Sequence, residues 1–93
     1  MPAVVIETWN VECSPIRQLA KCYEELGEVD DALRTWIKVA GHKDLIEKDY
    51  LTALASEIAD AITALANLAN LQGIDLARAL DLCAERNRMR GRL

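Results

Sequence analysis

Apolar residues recur along most of this chain three and four positions apart, the spacing that turns one side of an α-helix toward a core. The first such set is Leu19, Cys22, Leu26, Val29, Leu33, Trp36, Ile37 and Ala40. Ser14 followed by Pro15 marks its start, because a hydroxyl can cap the first turn and a proline there needs no backbone donor. A helix is therefore predicted over 14–40, ending before Gly41. After the short turn "GHKD" a second set, Leu51, Leu54, Ile58, Ala61, Ile62, Leu65 and Leu68, predicts a helix over 47–71, with Gly73 as its stop. Asp75 can cap a third helix, predicted over 75–89, with Ala79, Leu80 and Cys83 turned inward. Residues 1–13 have no clear period and are expected to form a short helix or an extended lead-in that carries Trp9.

Composition agrees with an all-α fold. Hydrophobic residues make up 52% of the 93, yet aromatics only 4% and Phe is absent, so the core must be built from aliphatic side chains, which pack well between helices. A chain this short is near the lower limit for burying an adequate core alone. The second helix is apolar almost all round, through Ala53, Ala59, Ala64, Ala66 and Ala69 as well as its main stripe, so a homodimer at least is expected.

The charge pattern narrows the partners. A net charge of −4 argues against a nucleic-acid polymer or an anionic membrane, both of which need a surplus of Lys and Arg. No signal peptide is evident and no run approaches the ~18 apolar residues of a membrane span, so a soluble protein is expected. Three cysteines without CxxC spacing suggest neither a disulfide framework nor a zinc site, which suits a reducing cytoplasm. His42 falls in the predicted turn and is expected to face solvent, as Asn67 and Asn70 are expected to face water or another subunit.

The acids themselves are not evenly spread. "YEELGEVDD", residues 23–31, holds five carboxylates in nine positions. Glu25 and Glu28 are one turn apart on the first helix, and Glu57 and Asp60 repeat that spacing on the second. At ~100° per residue the apolar stripe of the first helix centres roughly 80° from Glu25, and the second helix gives nearly the same angle from Glu57. If the stripes face each other in an antiparallel hairpin, a two-fold rotation brings both pairs to one flank, Glu25 level with Asp60 and Glu28 with Glu57. Four carboxylates so placed repel unless a cation or protons compensate, and oxygen-only ligation favours Mg²⁺, with Mn²⁺ possible. Gly27, costly inside a helix, is read as leaving space for a neighbouring helix or a ligand beside these acids.

The same residues carry a resemblance. "QLAKCYEELGEVDDAL", "EIADAITALANLANLQGIDLARAL" and "ERNRMR" together resemble the MazG-like all-α nucleoside triphosphate pyrophosphatases, from about Gln18 to Arg90. The specific part is ExxE followed by ExxD, here Glu25, Glu28, Glu57 and Asp60, with Asn87 and Arg90 echoing a later Asn and basic residue. The resemblance implies a hairpin plus C-terminal helix that completes a four-helix-type bundle as a homodimer or homotetramer. It also implies Mg²⁺-dependent cleavage of a (d)NTP between the α and β phosphates, with the four acids holding the metal and Arg86, Asn87 and Arg90 holding substrate. Two features depart from the family pattern: Cys83 stands where a lysine is frequent, and the N-terminal helix is short or missing.

Two other classes are distinguishable. A non-catalytic relic of the same fold would bind nucleotides or a protein partner without turnover. A di-iron bundle would need ExxH motifs on two helices, and His42 is in none.

Overall fold

The computed structural model describes residues 4–39 and 47–92. Three α-helices and no strand occur among them, α1 over Pro15–Val39, α2 over Glu47–Leu71 and α3 over Leu76–Met89. The predicted turn, including Gly41, His42 and Lys43, lies outside the described residues, as does Ala40. Residues 4–13 take no regular structure and form the extended lead-in.

The helix ends follow from their local chemistry. The Arg17 N–H donates to Ser14 Oγ at 3.2 Å, and the Arg78 N–H to Asp75 Oδ1 at 3.0 Å, so both expected caps are made. Gly73 takes φ 67°. That left-handed turn lets the Ile74 N–H reach Ala69 O at 2.9 Å and the Gly73 N–H reach Asn70 O at 3.1 Å, a Schellman ending. Only Gln72, Gly73 and Ile74 then separate the end of α2 from the cap of α3.

α1 packs on α2, whereas α3 touches α2 sparingly and has no buried residue. Every covered position in the described part of α1 belongs to one series, Gln18, Cys22, Glu25, Val29, Ala32 and Trp36. Its partner series on α2 is Tyr50, Leu54, Glu57, Ala61, Ala64, Leu68 and Leu71. Alternating steps of four and three are the seam of an antiparallel coiled coil. Trp36 stacks on Tyr50 at one end, with centroids 4.2 Å apart and planes 16° from parallel. Toward the other end Gln18 Nε2 donates to Ala64 O at 2.9 Å.

The seam is not the hydrophobic stripe that the sequence marks out. It is turned about 60° around each helix toward the acids. Leu26 remains 59% exposed and Leu65 55%, while the buried positions include Gln18, Glu25 and Asn67. The radius of gyration, 16.3 Å, exceeds the roughly 12 Å of a compact domain of this length.

One sequence expectation needs correction. From Asp49 to Leu71, α2 is long and apolar enough by composition to cross a membrane, with mean hydropathy 1.2. Its alanines carry that value where a count of large aliphatic residues does not. Glu57 and Asp60 interrupt the segment, and its seam side lies against α1.

Candidate metal centre

Glu25 sits in the seam of α1, and Glu57 occupies a seam position on α2. Glu28, one turn beyond Glu25, stands at the exposed rim between them. The three side chains each offer a carboxylate oxygen within 4.8 Å of the other two. Glu57 Oε2 is buried and is the one such side-chain atom among the described residues with no hydrogen-bond partner.

Lys21 relieves part of the charge. Its Nζ lies 2.9 Å from Glu25 Oε1 and 3.6 Å from Glu24 Oε1. Hydrogen bonding to Lys21 holds the Glu25 carboxyl below its ordinary range, against the opposite pull of burial. Lys21 is raised in turn, chiefly by the same bond. No ion pair joins Glu28 to a cation among the described residues. Its pKa is pushed up to about 6, first by hydrogen bonding to Glu25, then by the Glu25 charge, by burial and by Glu57.

This donor set suits a hard divalent cation. All three donors are carboxylate oxygens from two helices, with neither thiol nor imidazole, which favours Mg²⁺ or Mn²⁺ over zinc or copper. An ion there would give Glu57 Oε2 the partner it lacks and offset the repulsion that raises Glu28.

Asp60 stands outside the three-carboxylate group. It is exposed and, with Glu25, lines an adjoining cavity of about 380 Å³ whose other walls include Trp9, Gln18, Lys21 and Asn67. Asn67 is only 2% exposed, and its Oδ1 accepts the Trp9 backbone N–H at 3.1 Å, which fastens the lead-in over α2. The expectation that Asn67 faces water or another subunit is thus corrected. Gln18 and Asn67 are the signal that hydropathy passes over, two carboxamides buried among the helices.

The remaining predicted residues lie elsewhere. Arg86 and Asn87 are on α3 and Arg90 is its C-cap, and none of the three lines the cavity. Asn87 Nδ2 lies 3.7 Å from Cys83 Sγ, a weak contact within the helix. Beside Gly27 there is open space, since a Cβ there would meet nothing within 4 Å, and the residue lines a hollow with Tyr23, Leu26, Asp30 and Leu33.

Comparison with family models, with curated proteins and with solved structures finds no match for this chain. What it does must be argued from its own residues.

Proposed function

We propose that this chain is a Mg²⁺-dependent nucleoside triphosphate pyrophosphohydrolase of the MazG-like kind, cleaving a (d)NTP to the (d)NMP and pyrophosphate. The observation that carries the reading is the meeting of Glu25, Glu28 and Glu57 from two helices, with one Glu57 oxygen buried and unpartnered. Isolated surface acids have no reason to bury a bare oxygen.

In this reading Glu25, Glu28 and Glu57 hold the ion. When bound, Mg²⁺ supplies charge neutralisation and polarisation of the phosphate oxygens. The adjoining cavity takes the nucleoside, with the exposed Trp9 and the Gln18 and Asn67 carboxamides as an apolar wall and a polar one. Water attacks the α phosphorus, the bond from that phosphorus to the bridging oxygen breaks, and pyrophosphate leaves. Asp60, facing the cavity from outside the three-carboxylate group, accepts the proton of the water. Arg86, Asn87 and Arg90 offer positive charge and an amide for the polyphosphate from α3.

The test is pyrophosphate release across a panel of NTPs and dNTPs with Mg²⁺ or Mn²⁺, beside folded Glu57→Gln and Asp60→Asn proteins. Release by the parent that both substitutions abolish is expected. No release from any triphosphate sinks the enzymatic reading; nucleotide binding by calorimetry without turnover then selects the non-catalytic alternative, to which a cavity lining without α3 residues lends support.

A further inference from the structure

We propose that Lys21 is a phosphate-binding residue that works by exchange: it balances Glu25 in the metal-free protein, and turns to the polyphosphate of the ligand once a divalent cation has taken over that carboxylate. This rests on the nucleotide reading above and adds to it a phosphate contact from α1.

The first ground is position. Glu25 belongs both to the three-carboxylate group and to the lining of the adjoining cavity of about 380 Å³. A polyphosphate that runs from the cavity to the metal therefore passes Glu25. Lys21 stands one turn before it, with Nζ 2.9 Å from Glu25 Oε1. Among the described residues Lys21 is also the one cation that lines this cavity, alongside the carboxylates of Glu25 and Asp60. Phosphates entering a space walled by acids are repelled unless a positive charge meets them there.

The second ground is that helix stability gives the pair little reason to exist. Lys21 precedes its acid by four residues, the less favourable order for an i, i+4 pair. The Lys21 side chain is half exposed, and a pair with one end in water contributes little to a fold. Glu25 is buried, however, and a buried carboxylate calls for a cation whenever it is charged. Lys21 is thus a counter-ion to the site more than a brace for α1.

The third ground is chemical. A lysine ammonium is a point charge with three donors on a flexible stem, so it can change partner without any movement of the backbone. A carboxylate that shares its charge with a divalent ion holds an ammonium less tightly. Metal at Glu25 therefore loosens Lys21 at the moment when phosphate oxygens need it. Glu24 Oε1, 3.6 Å from Nζ, steadies the head group in the meantime.

Calorimetry on the full chain tests the exchange, with Mn²⁺ titrated into the metal-free protein and inorganic tripolyphosphate into the Mn²⁺-loaded protein. Lys21→Met keeps the apolar stem and removes the charge, with circular dichroism as the folding check. Its Mn²⁺ affinity is expected to rise about threefold, because a competing cation is gone. Its tripolyphosphate affinity is expected to fall at least about tenfold, the scale of a lost charged hydrogen bond, and Lys21→Arg should restore most of it. Mn²⁺ affinity that does not rise, or tripolyphosphate affinity that does not fall, overturns the proposal, as does a parent that binds no tripolyphosphate. Pyrophosphate release by the parent, with tripolyphosphate binding indifferent to Lys21→Met, keeps the nucleotide reading and overturns this inference. The two opposite shifts in a parent that releases no pyrophosphate uphold Lys21 as a phosphate site and sink the enzymatic reading instead.

Discussion

The two sides of one helical hairpin differ in what they leave unsatisfied. On the acid side, three carboxylates meet and one oxygen is buried without a partner. On the apolar side, leucines and isoleucines stand in water over a seam made of Cys22, Ala61 and Ala64. The seam has taken Gln18, Glu25 and Glu57 along with small residues, and has left Leu26, Ile58, Ile62 and Leu65 exposed beside it. Each side therefore calls for a complement of opposite chemistry, a cation for one and an apolar surface for the other.

The sharpest way to break that contrast is to neutralise the acid side alone. Glu57→Gln is expected to lower pyrophosphate release by roughly 10²-fold or more, yet to raise the melting temperature of the metal-free protein, because a repelling charge is gone. A fall in both would mean that Glu57 is structural.

Asn67→Ala should come next. Removing a buried carboxamide that accepts the Trp9 N–H is expected to cost about 1–3 kcal/mol in urea unfolding. Trp9 fluorescence should shift to the red as the lead-in loosens. Sedimentation should stay unchanged, since Asn67 is away from the apolar side.

A smaller effect should appear with pH. Between the ordinary Glu value of 4.5 and about 6, folded Glu28 binds more protons than it does unfolded. The metal-free protein should therefore lose stability as pH rises through that window. Glu25, lowered by Lys21, acts below the window, where its contribution is lost as pH falls. If Glu28 holds Mg²⁺ as proposed, the ion must displace its proton, so Mg²⁺ affinity should rise through about pH 6. Thermal melts from pH 4.5 to 6, with and without Mg²⁺, read both trends; a flat metal-free profile would contradict the clustering.

The smallest effect belongs to neither side. The exposed pair of Arg34 Nε and Asp30 Oδ1, 2.8 Å apart, should be worth less than about 0.5 kcal/mol. Urea unfolding of Arg34→Ala would show whether surface charge in general, rather than the cluster, tunes this helix.

Much of this arrangement is legible in the sequence where chemistry is local. Ser14, Gly73 and Asp75 place helix ends because caps need only near neighbours. The i, i+3 acid pairs place Glu25, Glu28 and Glu57 on one side because helical geometry is rigid. The rotation of the seam is not legible from hydropathy, which weights Leu26 and Ile62 above Cys22 and Ala64. When a chain has two surfaces to cover, the larger side chains can mark the outer one. Only the four-and-three series through Gln18, Glu25 and Ala32 distinguishes the inner seam, and it does so by including polar residues that a search for a core passes over. The cavity escaped for a different reason: its wall comes from the lead-in, which has no period to read.

The stacked Trp36 and Tyr50 and the amide contact of Gln18 with Ala64 act on the acids between them like two pins through a folded rule. Slippage of either helix would separate Glu28 from Glu57, yet neither pin uses charge or metal. Alignment is thus preorganised. An arriving ion should meet a frame already in register, instead of condensing one from a disordered chain as in metal-nucleated folds.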